Sequence, residues 1–126
     1  MFKGAIRLLI GLFGALSLVQ ASRLWLSPHI AVGVLGLTDL NSTGLATARA
    51  DLGGIFVAIG LLMLYGAARN SRAALTGGLV VVASAFAGRI FAAVTDGVTS
   101  AQQPPLVIEA ILVTLLLFGR QLAPKS

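Results

Sequence analysis

The sequence predicts an all-α fold: a single-domain polytopic membrane protein built as a four-helix transmembrane bundle. Three observations predict it. Of the 126 residues, 57% are hydrophobic and only 10% are charged, with a mean hydropathy of +0.97, whereas a soluble domain of this length needs far more polar surface to cover its core. Uncharged apolar runs recur at lengths that, at about 1.5 Å per helical residue, cross a hydrocarbon layer of roughly 30 Å. Between the runs lie turns marked by Pro, Gly, Asn and Ser, the residues that interrupt helices.

The first span is expected over residues 4–26. Lys3 and Arg7 stand near its start, and no charge occurs from Leu8 to Val19. A basic start, an apolar middle and Val19-Gln20-Ala21 also fit a signal peptide, but apolar character resumes at Leu24-Trp25-Leu26, which favours an uncleaved helix with Trp25 as an interfacial anchor. Gly4, Gly11 and Gly14 fall on nearly one face and predict close helix packing. Residues 27–44 mix Pro28, His29 and several glycines with Ile30, Val32, Leu35 and Leu37. They are too short and broken to span, yet apolar enough to lie on the bilayer surface or cap the bundle.

The second span, 45–67, opens with Arg49-Ala50-Asp51-Leu52-Gly53-Gly54 and continues without charge from Ile55 to Tyr65. A turn containing Arg69 and Arg72 leads into the third, 73–95. There Ser84, Gly88 and Ala92 repeat at four-residue spacing, which with Gly53 and Gly54 of the second span predicts tight helix packing. Pro104-Pro105 opens the fourth span, 105–122, where a proline is tolerated because the amide it lacks would be unpaired anyway. Glu109 sits one turn inside.

Charge placement gives orientation and a candidate site. Lys3, Arg7, Arg69, Arg72, Arg120 and Lys125 all fall on one side of a four-span arrangement, which the positive-inside rule makes cytoplasmic, with both termini there. The opposite half receives Arg23, Arg49, Asp51, Arg89, Asp96 and Glu109, three of each sign, with Asp39 in the loop. Arg89 lies sixteen residues beyond Ala73, about 24 Å along a helix and so near the outer end. Arg89 and Asp96, seven residues apart, share one helix face. Ionisable groups inside a span are costly and normally face the protein interior in pairs. A buried network of these six is therefore expected, with Arg89 on Asp51 or Glu109, and Arg49 on Asp96 or a nearby loop carbonyl. Such a network either fixes helix order or lines a polar cavity in which an arginine grips a head group and an acid moves a proton.

Arg49-Ala50-Asp51-Leu52-Gly53-Gly54, with Gly88-Arg89 and Asp96-Gly97, resembles the signatures of a bacterial family of small four-span membrane proteins classed as a domain of unknown function, similar in architecture to the DoxX/DoxD-like group. The resemblance runs from the first span to the fourth. It implies a fold and a bacterial inner-membrane location more than an activity, and points to Arg49, Asp51, Gly53, Gly54, Gly88, Arg89, Asp96 and Gly97.

Other chemistries find little support. There is no Cys and one His, His29, so disulfides, thiolate chemistry and multi-histidine metal sites are excluded. Three carboxylates, Asp51, Asp96 and Glu109, could suit a hard cation, but three arginines beside them oppose it, and no metal is expected. No phosphate-cradling or dinucleotide fingerprint occurs, and no cofactor is expected. The net charge of +5 is explained by membrane orientation rather than nucleic acid. Three functions remain: binding of a lipid-like or quinone-like molecule or service as an accessory subunit or homo-oligomer, a membrane-embedded enzyme on an apolar substrate, and a small proton-coupled transporter. The first is favoured, because alternating access is hard to build from four helices with no visible repeat.

Overall fold

In a computed structural model that describes residues 1–125, the chain folds almost wholly into helix. The order is α1 (Phe2–Leu26), α2 (Pro28–Val34), α3 (Ser42–Thr47), a π-helical turn (Ala48–Leu52), α4 (Gly53–Arg69), α5 (Arg72–Asp96), a 3-10 turn (Ser100–Gln102) and α6 (Gln103–Leu122). Four helical segments, Phe2–Leu26, Ser42–Arg69, Arg72–Asp96 and Ser100–Leu122, are long and apolar enough to cross a membrane. The molecule is thus a multi-pass helical membrane protein by the length and composition of its helices. Each expected span falls inside one of these segments, and each segment runs slightly longer.

Helix ends follow their local chemistry. Asn41 caps α3, its Oδ1 accepting from the Gly44 amide at 2.8 Å, and Ser71 Oγ accepts from the Ala74 amide at 3.2 Å to start α5; each satisfies an amide that has no partner within the helix. Asn70 adopts the left-handed conformation (φ 51°) that stops α4, and Gly97 (φ 82°) ends α5, a backbone region that glycine enters without steric penalty.

The long helices form a ring in which α1 packs on α4, α4 on α5, α5 on α6 and α6 back on α1. At its centre lie Ile10, Met63, Leu75 and Leu116, one from each helix and all fully buried. Lipid tails are as apolar as these side chains, so close packing and dispersion, rather than release from water, hold the ring together. The tightest crossing is between α1 and α4. A Cβ placed on Gly60 would stand 2.9 Å from the Gly14 carbonyl oxygen and 2.7 Å from Leu18, and one on Gly14 would stand 3.1 Å from the Gly60 oxygen.

The small residues predicted to pack do so unequally. Gly14 makes the close crossing, Gly11 makes ordinary contact with Ala67, and Gly4 faces open space. Gly53 lies against the Trp25 ring, where a Cβ would come within 2.7 Å of Trp25 Cδ1. Gly54 and Gly88 have no neighbour within 4 Å of a Cβ position, Ser84 is exposed and Ala92 is half-buried. Ser84, Gly88 and Gly54 therefore do not pack against a neighbouring helix of this chain, whereas Ala92 lies partly in the gap between α5 and α6. Spacing identifies a helix face but not the direction in which that face turns.

Residues 27–44 cap one end of the bundle. Ala31 and Val32 of α2 bury against Leu24 and Ala48, with Leu35, Leu40, Leu45, Leu52 and Phe56 around them, forming a second, smaller core. The four-helix core is continuous at the basic end but stops partway. Beyond Val82 no residue of α5 is buried, and before Leu112 none of α6 is. In that loosely packed half of α5 and α6, away from the basic end, lies the one salt bridge among the described residues.

Candidate functional site

Arg89 stands seven residues before the C-terminal end of α5, and Glu109 six residues into α6, each about 10 Å from its helix end at 1.5 Å per residue. The α5–α6 turn brings the two helices antiparallel, which sets these positions at the same depth. Arg89 Nε donates to Glu109 Oε1 at 2.8 Å. The Arg89 side chain is 41% exposed and that of Glu109 15%, so the carboxylate is the member held inside. Its second oxygen, Oε2, is buried without a hydrogen-bond partner, and an unpaired buried acceptor of this kind costs about 1–3 kcal/mol. Arg89 donates through Nε only, and its terminal nitrogens make no hydrogen bond among the described residues.

Two cavities meet Arg89. The larger, about 440 Å³, lies between the end of α2 and the start of α6, with Gly33, Gly36, Thr99, Gln102 and Pro105 on its wall. The smaller, about 40 Å³, lies between α5 and α6 beside Ala92, Ala93 and Leu106. At about 440 Å³ the larger cavity falls in the range that takes small organic ligands. Its shape is set partly by the capping box of the 3-10 turn, in which the Thr99 amide donates to Gln102 Oε1 at 3.0 Å. The free guanidinium edge is the charged group on its wall, suited to a carbonyl, carboxylate or phosphate oxygen.

The expected six-charge cluster is reduced to this pair. Of the two partners expected for Arg89, Glu109 is the one found. Arg23, Arg49, Asp51 and Asp96 are exposed, and none makes a salt bridge among the described residues. They share an end of the molecule without meeting: α2 and α3 stand over the α1–α4 side, while Asp96 closes α5 on the other. Arg49 and Asp51 also sit on the π-helical turn, where the wider winding changes the direction of successive side chains. Asp51, Asp96 and Glu109 do not gather into a metal-binding group.

Three contacts have no signature in the sequence. Trp25 Nε1 donates to the Arg49 carbonyl oxygen at 2.9 Å, so what matters at Arg49 is its backbone, released from regular helical pairing by the π turn. Trp25 is thus tied to the α4 entrance, and Gly53 leaves room for its ring. At the other end Arg7 donates from Nε to the Ala67 oxygen at 2.7 Å and from Nη2 to the Ala68 oxygen at 3.0 Å. These are carbonyls of the last turn of α4, which lack helical partners and carry the negative end of the helix dipole. Arg120 Nε donates to Thr76 Oγ1 at 2.8 Å and ties α6 to α5. No sequence spacing signals either contact, since each joins residues more than forty positions apart. No family model matches the chain, and neither does any curated protein or solved structure.

Proposed function

We propose that this chain is a non-enzymatic binding protein of a bacterial inner membrane. It holds an amphipathic molecule, lipid-like or quinone-like, by its polar head in the cavity beside Arg89, alone or as an accessory subunit of a larger complex. The basic end, with Lys3, Arg7, Arg69, Arg72, Arg120 and Lys125, then faces the cytoplasm under the positive-inside rule, and the cavity opens to the extracytoplasmic leaflet. The resemblance to the DoxX/DoxD-like group agrees with that location.

One observation carries the reading. A single ion pair is kept about two turns inside otherwise apolar helices, and its arginine presents an unused guanidinium edge to a cavity of about 440 Å³. A pair serving only to fix helix order needs no cavity. Binding is favoured over proton transfer because the charged group on the wall of both cavities at Arg89 is a guanidinium, a fork of N–H donors suited to oxygen ligands, and not a carboxylate.

The test is extraction into native-lipid nanodiscs followed by mass spectrometry of the small molecules retained, for wild type and Arg89→Ala. One enriched amphiphile in the wild type, absent from a variant that remains folded, supports the reading. Identical retained species in both would reject it.

A further inference from the structure

We propose a second ligand site, at the opposite end of the molecule, that takes an anionic phospholipid: a groove between α1 and α4 holds one acyl chain, and Arg7 with its basic neighbours holds the head group. It does not depend on the cavity at Arg89.

The groove has a volume of about 370 Å³ and is lined by Gly4, Leu8, Gly11 and Leu12 of α1 and by Leu64 and Ala67 of α4, with Arg7 at its edge. It exists because α1 carries no side chain at two successive points on this face. A Cβ on Gly4 would meet nothing within 4 Å, and one on Gly11 would meet only Ala67 Cβ at 3.8 Å. Leu8 and Leu12 stand exposed beside it. From Gly4 to Leu12 the groove follows α1 for about 12 Å, most of the roughly 15 Å that one leaflet contributes to the hydrocarbon layer. Its length and apolar wall fit an acyl chain lying along the helix.

Charge identifies the head group. Arg7 is fixed by its bonds to the Ala67 and Ala68 carbonyls, made through Nε and Nη2, and its Nη1 makes no hydrogen bond among the described residues. A guanidinium already held in place loses little freedom on binding a phosphate. Lys3 lies one turn before it on α1, and Arg69 follows Ala68 directly. All four acidic side chains of the sequence, Asp39, Asp51, Asp96 and Glu109, belong to the other end of the helices, so no acidic side chain competes at this one. Basic side chains at the membrane surface attract anionic lipid head groups, and basic pockets between spans bind them specifically. A zwitterionic head group carries no net charge to answer this surface.

The experiment is native mass spectrometry of the full-length protein in detergent, titrated with phosphatidylglycerol or phosphatidylcholine of the same acyl chains. The wild type should bind phosphatidylglycerol with about fivefold preference for each basic contact the head group makes. Lys3→Gln, a change at an exposed residue, should lower that preference about fivefold and leave phosphatidylcholine binding unchanged. Gly4→Leu fills the groove where space is open, and should abolish the preference while helicity and melting remain those of the wild type. Gly88→Leu, at an open glycine on α5, is the control and should bind as the wild type does. Equal binding of the two lipids by the wild type would overturn the proposal, as would an undiminished preference in Gly4→Leu. Conversion of a wild-type dimer into monomers by Gly4→Leu would also overturn it, by assigning the groove to a second copy of the chain.

Discussion

Removing the arginine of the Arg89–Glu109 pair should harm the protein more than removing both partners. In Arg89→Ala, Glu109 loses the partner of Oε1 while Oε2 already has none, leaving a largely buried carboxylate with neither oxygen bonded. Exposed pairs contribute about 0–1 kcal/mol, whereas breaking a buried pair costs about 3–5 kcal/mol. With side-chain exposures of 41% and 15%, this pair lies between those limits, and about 2 kcal/mol is expected for Arg89→Ala. Arg89→Ala/Glu109→Ala removes the stranded acid as well and should recover about 1 kcal/mol. The assay is unfolding in a denaturing detergent followed by fluorescence of Trp25, the only tryptophan, with both single variants and the double closing a thermodynamic cycle. Strictly additive losses would refute the reasoning, because they would mean that Arg89 and Glu109 do not sense one another in the membrane environment.

Three other outcomes follow from the packing. Gly60→Val should prevent assembly or strongly destabilise the fold, since even its Cβ would meet the Gly14 oxygen and Leu18, whereas Gly54→Ala, inside α4 with open space around it, should be neutral or stabilising by about 0.5–1 kcal/mol; comparative unfolding measures both. Trp25→Phe should cost about 1 kcal/mol through loss of the bond to the Arg49 carbonyl, and Gly53→Ala, by displacing the indole, should shift the Trp25 emission maximum. Arg7→Gln should destabilise by about 1–2 kcal/mol because two last-turn carbonyls of α4 lose their donor; an unchanged unfolding curve would show that solvent or lipid head groups replace it at no cost.

The fold was legible in the sequence because its dominant signal is simple. Apolar runs of spanning length, broken by Asn70-Ser71 and Pro104-Pro105, demand helices, since every backbone group in a bilayer core must be satisfied within its own segment. Hidden from it was the rotation of each helix. Without contrast between a dry interior and water, an apolar face toward lipid reads the same as one toward a neighbour, which is why Ser84, Gly88 and Gly54 resembled packing residues and face outward. Of the candidate site, Arg89 and Glu109 could be found because both charges interrupt apolar runs at matching distances from the turn that joins them. Arg49 and Asp51 gave the same kind of signal, but the π turn and the α2–α3 cap hold them at the surface. Trp25, Arg7 and the cavity wall at Gly33–Gly36 depend on long-range placement that no local pattern records.

Whether a molecule sits in the cavity beside Arg89 can be measured directly, because the sequence contains no cysteine. A single Ala101→Cys, on the wall of that cavity, can be labelled with a polar thiol reagent in native membranes and again after delipidation in detergent, with Ser71→Cys in the α4–α5 turn as the reference for reagent access. With a molecule bound there, labelling at position 101 is slow in native membranes and rises sharply on delipidation, relative to position 71. An identical ratio of the two rates before and after delipidation would contradict occupancy of the cavity.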